Sequence, residues 1–203
     1  MSSALIVFAK APVAGLAKTR LIPALGPEGA AGLAGRLLGH TLAAAMAVRA
    51  DHLELCVSPA AAHPAFDQAL QAAPGRLHLT WQGEGDLGER MYRALSRVLA
   101  LHERAILIGT DAPSLDPPRL TQALQALDDH PAVFVPALDG GYALIGLTHP
   151  APELLLDMVW STPEVMQHTR DRARASGWTW AELPPVADID EPGDLVHLPG
   201  GWL

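Results

Sequence analysis

The chain is almost without cysteine: Cys56 stands alone in 203 residues. A disulfide framework is excluded, and the sequence fits a reducing compartment. No apolar run approaches the ~18 residues of a membrane span. The N-terminal apolar run is short, lacks a basic lead and empties into a loop, so it does not read as a signal peptide and the cytoplasm is the expected location. Excess positive charge is missing as well. The net charge is −8, whereas a protein that tracks a nucleic-acid backbone needs a basic face. The nine histidines show no H-E-x-x-H spacing, which leaves zinc chemistry unsupported. No Gly-x-Ser-x-Gly elbow is present, so a serine-hydrolase reading has no anchor. Internal repeats, low-complexity segments and linkers are absent too, and residues 1–203 are expected to form a single domain.

What is present is a globular composition, 49% hydrophobic and 18% charged. Strand-like runs near 4–9, 53–57, 77–81, 105–108, 132–136, 142–147 and 178–182 alternate with helical patterns near 28–50, 64–73, 88–102, 117–129, 152–160 and 163–176. That alternation predicts an α/β fold with a mostly parallel sheet covered by helices. Only Ala137-Leu138-Asp139-Gly140-Gly141 separates two of the strands, too little for a parallel crossover, so one strand near the C-terminus is expected to run antiparallel or leave the main sheet. Cys56 lies within Leu53-Glu54-Leu55-Cys56-Val57 and reads as a buried structural thiol. Asp116 before Pro117-Pro118 predicts a capped helix start, with Leu120, Leu124 and Leu127 as its apolar stripe. Ser161-Thr162-Pro163-Glu164 reads as a capping box, and Gly177 as the stop of that helix. Gly29, Gly32, Gly35 and Gly39 in the first helix suggest close approach to the sheet.

Ligands of open α/β sheets bind at the carboxyl ends of strands, and here those ends carry the chemistry. The first strand runs into Lys10-Ala11-Pro12-Val13-Ala14-Gly15-Leu16-Ala17-Lys18-Thr19-Arg20-Leu21, a basic Gly/Pro loop suited to polyphosphate. It lacks the spacing of the NTPase phosphate loop. Gly83, Gly85 and Gly88 spell G-x-G-x-x-G after a strand, but Glu84 and Asp86 between them would repel a pyrophosphate. Asp86 with Glu89 reads better as a capping box, and the turn as one that admits a planar base, with Gln82 able to pair with its edge. Asp111, at the mouth of Ala105-Ile106-Leu107-Ile108 and beside Pro113, suits a hard cation such as Mg²⁺. Asp188 and Asp190 alternate along an extended piece. One of them is expected in the cleft, while the other, with Asp194, caps the short helix opened by Pro192.

Phe8-Ala9-Lys10-Ala11-Pro12 through Lys18-Thr19-Arg20-Leu21, Gly85-Asp86-Leu87-Gly88-Glu89-Arg90-Met91, Gly109-Thr110-Asp111-Ala112-Pro113, Asp139-Gly140-Gly141-Tyr142 and Asp188-Ile189-Asp190-Glu191-Pro192 occur in that order. This series resembles a bacterial glycosyltransferase-A-fold family of unknown function (DUF2064), whose members are often labelled radical-SAM/selenodomain-associated transferases. More distantly it is similar to phospholactate guanylyltransferase and to molybdenum-cofactor and sugar-acid nucleotidyltransferases. The resemblance implies a glycosyltransferase-A-like three-layer sandwich and a transferase that uses Mg²⁺ or Mn²⁺ with a nucleoside triphosphate or nucleotide sugar. It implies a nucleotide site at Ala9, Lys10, Lys18, Arg20, Gln82, Gly85, Gly88 and Asp111, with Lys18, Arg20 and Asp111 acting in catalysis. Asp139, Gly140, Gly141 and Tyr142 would receive a small-molecule acceptor. The metal would sit on Asp111 and on Asp190, the late acid before the proline turn, with Asp188 left to bond nearby backbone. The Gly-Gly-x-Ser form of the first loop is missing, and Gly109-Thr110-Asp111 supplies only the last acid of an Asp-x-Asp motif. The rival expectations are a nucleotide-binding or regulatory module without turnover, and a dinucleotide-binding enzyme.

Overall fold

A computed structural model describes residues 1–60 and 63–202. Its strands are β1 Ser3–Lys10, β2 His52–Ser58, β3 Leu77–Trp81, β4 Arg104–Ile108, β5 Ala132–Pro136, β6 Tyr142–Leu147 and β7 Trp180–Glu182. They form one sheet in the order β3-β2-β1-β4-β6-β5-β7. β6 is antiparallel to both β4 and β5, and the remaining pairings are parallel. The five-residue turn after β5 therefore reverses the chain, as its length requires.

Alternating side chains send β1 into two cores. Leu5, Val7 and Ala9 join one face, and Ala4, Ile6 and Phe8 the other. The first face is covered by α1 (Ile22–Ala47), α2 (Pro64–Ala72) and α4 (Pro117–Ala126) through Leu38, Leu42, Phe66, Leu120 and Leu124. The second is covered by α3 (Leu87–Leu99), α5 (Pro152–Leu155) and α6 (Val165–Ala175) through Met91, Leu95, Leu154 and Met166. The result is the three-layer α/β/α sandwich with a mostly parallel mixed sheet. Among the described residues no helix is long and apolar enough to cross a membrane.

Several local readings hold. Asp116 accepts from the Arg119 N–H, Asp86 and Glu89 form a reciprocal capping box, Gly177 ends α6 at φ 75°, and Cys56 is buried. Others need correction. The helix expected over 152–160 closes at Leu155, because Asp157 and Ser161 adopt left-handed backbone at φ 55° and 63°. Ser161-Thr162-Pro163-Glu164 makes no capping box; α6 begins at Val165 behind Glu164, which gives no side-chain cap. The first helix starts earlier than expected, at Ile22, and is broken at Gly26 (φ 69°) before Pro27. A side chain at Gly32 or Gly39 would meet open space, and one at Gly35 only Pro12 at 4.0 Å. Those glycines are not there for contact with the sheet.

Gly88 is the glycine that packing demands. A Cβ there would lie 2.0 Å from the Leu155 carbonyl and 2.7 Å from Trp160 Nε1, where α3 meets the chain after α5. Gly88→Ala is expected to cost about 1–3 kcal/mol by overpacking, which denaturant titration checks.

Candidate functional site

Two adjoining cavities open at the carboxyl ends of β1 and β4, with volumes of ≈ 470 and ≈ 240 Å³. Asp111, Asp190 and Tyr142 line both and mark the seam between them. The larger is walled by Ala9, Lys10, Lys18, Arg20 and Gln82, and the smaller by Asp139, Gly141, Trp160, Thr162 and Asp188.

The seam is assembled from three remote segments. Apolar β4 delivers Asp111 at its mouth. The Ile189 N–H donates to the Asp111 carbonyl at 2.8 Å, tying the late segment to that mouth. Ile189 itself is fully buried with Leu21, Ala30, Leu33 and Leu37, a small core that anchors the basic loop to the same place. Asp194 fixes the next turn, accepting from the Asp190 and Glu191 N–H groups at 3.0 and 2.7 Å.

Lys18 completes the seam. Its backbone is left-handed (φ 47°, ψ 46°), which turns the side chain inward. Nζ lies 2.5 Å from Asp111 Oδ1, 2.8 Å from Asp190 Oδ1 and 2.6 Å from the Ile189 carbonyl. Of the ammonium's three donors, two are hydrogen-bonded, to the Ile189 carbonyl and to Asp190, and Asp111 adds a close ion pair. Burial pulls the Lys18 pKa down, but the Asp111 and Asp190 carboxylates outweigh it, and the net displacement is upward. The lysine side chain is 8% exposed, against 45% and 41% for the two aspartates. The cation is enclosed while its acids still face the cleft.

Arg20 is differently placed. It is 64% exposed, with Nη1 3.7 Å from Glu191 Oε1, a geometry that leaves its fork available to an anion in the cleft. Lys10 is exposed at the rim of the same cavity. Gln82 is buried, and its Nε2 donates to the Ala9 and Cys56 carbonyls at 3.2 and 3.1 Å. Its amide nitrogen pins β1 and β2 near their carboxyl ends, which leaves Oε1 as the acceptor end of the side chain.

The structure brings together Ala9, Lys10, Lys18, Arg20, Gln82, Asp111, Asp139, Gly141, Tyr142 and Asp190 around the two cavities. Gly85, Gly88 and Gly140 do not line either one. Gly85 (φ 104°) gives room to the Glu89 carboxylate of the capping box, and Gly140 (φ 94°) lies against the Pro163 backbone. The G-x-G-x-x-G run is thus a helix-start and packing device, and the dinucleotide reading loses its support. Asp188 corrects a further expectation: it lines the smaller cavity alongside Asp190, so both acids of the pair face the cleft. Sequence reasoning missed Trp160 and Thr162, which the unexpected loop after α5 carries into the cavity wall.

The smaller cavity is strongly acidic, with Asp111, Asp139, Asp188 and Asp190 in its lining. Burial, then the neighbouring Asp139 charge, pushes the Asp188 carboxyl up to about 6. A carboxyl raised in the folded state stabilises the fold below its unfolded pKa, and that stability is lost as pH rises through about 6. Asp188→Asn is therefore expected to raise Tm at pH 7.5, the gain shrinking as pH falls toward 4; thermal melts across that range check it. Tyr142 and Trp160 stand edge-to-face at 6.3 Å, and the tyrosine hydroxyl and indole N–H are buried with no partner among the described residues. Burial also raises the Tyr142 pKa, keeping its hydroxyl a neutral donor.

Among the described residues no group of three or more His, Cys, Asp or Glu is arranged to hold a metal. Mg²⁺ needs fewer protein ligands when a phosphate completes its shell: one or two carboxylates suffice. Asp111 and Asp190 with the Ile189 carbonyl are hard oxygen donors already gathered round a positive charge. The residues fit a divalent cation, with the Lys18 ammonium standing where it would bind.

Over residues 41–162 the chain matches the bacterial family described as "uncharacterized protein conserved in bacteria (DUF2064)". No curated protein matches it. A crystal structure from Desulfovibrio desulfuricans, described as a candidate nucleotide-diphospho-sugar transferase, superposes with a TM-score of 0.87 and 30% identity, covering 96% of this chain and 85% of that one. CMP:2-keto-3-deoxy-manno-octonic acid synthetase complexed with CTP superposes with a TM-score of 0.60 at 14% identity, over 97% and 96% of the two chains. A manganese complex of a Mycobacterium tuberculosis protein gives 0.58 at 18% identity, over 98% of each. The last two share the fold alone. The fold is that of the nucleotide-diphospho-sugar transferases, glycosyltransferase-A-like.

Proposed function

We propose that this chain, which belongs to the DUF2064 family of bacteria, transfers a group from a nucleotide donor to a small acceptor with the help of a divalent cation, residues 1–203 acting as one catalytic domain. The observation that carries the reading is the convergence of Asp111 and Asp190 on a positive charge at the seam of two cavities. The donor occupies the larger cavity. Its phosphates lie toward Arg20 and Lys10, whose charges stabilise the negative charge that grows on the leaving group, and its base lies toward Gln82. Asp111 and Asp190 would hold Mg²⁺ or Mn²⁺, which would supply positive charge to neutralise the donor's phosphates. The acceptor enters the smaller cavity beside Asp139, Gly141 and Tyr142, facing the reacting centre across the seam. The D. desulfuricans structure, the CTP complex and the manganese complex support a nucleotide donor and a divalent metal on this fold.

Attack at the α-phosphate and attack at a sugar carbon share this geometry and differ in what leaves. Incubation with Mn²⁺ and either a nucleoside triphosphate or a nucleotide sugar, followed by phosphorus NMR, distinguishes them. Nucleoside monophosphate with pyrophosphate, from slow transfer to water, marks nucleotidyl transfer; nucleoside diphosphate marks glycosyl transfer. Ligands first chosen by thermal shift serve as donors, since one at 100 times its Kd adds about 2.7 kcal/mol. Binding with no product over time would overturn the enzymatic reading in favour of a non-catalytic nucleotide-binding module.

A further inference from the structure

The Lys18 side chain does something that a phosphate-binding lysine does not need to do. Its ammonium donates to Asp190 and to the Ile189 carbonyl and is ion-paired with Asp111, so it is turned to the acids and not to a phosphate while this arrangement lasts. Its acceptors are the same hard oxygens that a divalent cation would take. Here the acids keep nearly half of their side-chain surface open to the cleft while the ammonium is covered. The left-handed backbone at Lys18 is a costly conformation for a residue with a Cβ, and such conformations persist where surrounding contacts hold them.

We propose that Lys18 is the resident cation of the site: it holds Asp111 and Asp190 together until a divalent metal displaces it, and its freed ammonium then moves to the donor's phosphates. The inference rests on the metal-dependent reading above and adds an order of events to it. The charges favour the exchange. Two carboxylates with one ammonium leave the seam at −1, and a +2 ion in the ammonium's place brings it to neutral as a polyanionic donor arrives. The displaced +1 charge is then released within the cavity that Arg20 and Lys10 also line, where the donor's phosphates are proposed to lie. One residue thereby shields the acids from each other in the empty site and serves the donor in the loaded one. Metal entry creates the last part of the phosphate site.

Lys10 and Lys18 are the chain's two lysines, which makes the test clean. Amine acetylation read by mass spectrometry should label Lys18 at least tenfold more slowly than exposed Lys10. Mn²⁺ alone, without nucleotide, should raise Lys18 labelling severalfold and leave Lys10 unchanged. In parallel, Lys18→Met should bind Mn²⁺ at least tenfold more tightly than the unaltered protein, by paramagnetic resonance of the free ion, since the competing cation is gone. Equal or weaker Mn²⁺ binding by a folded Lys18→Met protein overturns the proposal. Should that variant not fold, Lys18 labelling that stays flat as Mn²⁺ rises to millimolar levels overturns it. Triphosphate binding in the presence of Mn²⁺, measured separately, would survive either failure and keep the transferase reading standing.

Discussion

Asp111→Asn is expected to keep the fold and to weaken metal-dependent binding of a nucleoside triphosphate by about 100-fold, or about 2.7 kcal/mol. The fold survives because the structural tie at this position is the Asp111 carbonyl accepting from the Ile189 N–H, which the substitution leaves alone. An asparagine oxygen can still accept from Lys18. What disappears is one of two negative charges at the seam, and an amide cannot replace it for a hard cation. Nucleoside binding, which does not involve the metal, should change little. Calorimetry with Mg²⁺ and triphosphate on the folded variant checks this; unchanged affinity would remove Asp111 from the metal site.

The second large effect lies away from the cleft, at the one acid of the apolar β2 strand. Glu54 is fully buried, and the Arg97 guanidinium meets both its oxygens at 2.6 Å. Thr80 Oγ1 donates at 2.6 Å, and His52 Nε2 lies at 3.3 Å. Removing one partner of a buried pair leaves a charge without compensation. Arg97→Ala is therefore expected to cost about 3 kcal/mol in denaturant unfolding, the lower end of the range for such pairs because Arg97 itself is 42% exposed. Neither residue lines the cavities, so nucleotide affinity should hold. The pH dependence gives a second readout. Burial pushes the Glu54 carboxyl up, but hydrogen bonds from Arg97 and Thr80 bring it below its ordinary value. The stability it contributes is present above the unfolded pKa and lost as pH falls through the lower folded value. Without Arg97 the folded pKa climbs, and acid unfolding begins at higher pH. A variant within 0.5 kcal/mol of the unaltered protein, on the scale of an ordinary surface change, would contradict the account.

The central strands were legible because buried strands need nearly continuous apolar runs, as in β1, β4, β5 and β6, and those runs are bounded by turn residues. All seven predicted strands pair, and the short Ala137–Gly141 connection left two options, an antiparallel strand or one outside the main sheet, of which β6 takes the first. Helix ends were read well where a side chain does the capping, as at Asp86 and Asp116. They were misread at 152–164, where Asp157 and Ser161 take left-handed conformations that neither residue type demands. Asp111 was visible as an acid at the end of an apolar strand. Its meeting with Lys18 and Asp190 was not, because Lys18 and Asp190 are 172 positions apart and are joined only once Ile189 is buried under α1. The basic loop therefore read as a set of phosphate ligands, although one of its charges is already engaged. The Glu54–Arg97 pair did leave a trace in the sequence: a single acid amid Leu53, Leu55, Cys56 and Val57 requires a buried partner. Periodicity alone does not say which arginine supplies it.

Asp111 and Asp190 are proposed to hold a catalytic cation at the seam between donor and acceptor cavities. Crystals grown with Mn²⁺ and a nucleoside triphosphate test it most directly, because manganese is located by its anomalous scattering. One manganese peak ligated by both carboxylates and by phosphate oxygens is expected, with Arg20 against the phosphates and Lys18 Nζ moved off the acids onto them. Manganese bound away from Asp111 and Asp190, or a triphosphate seated outside the larger cavity, would contradict it.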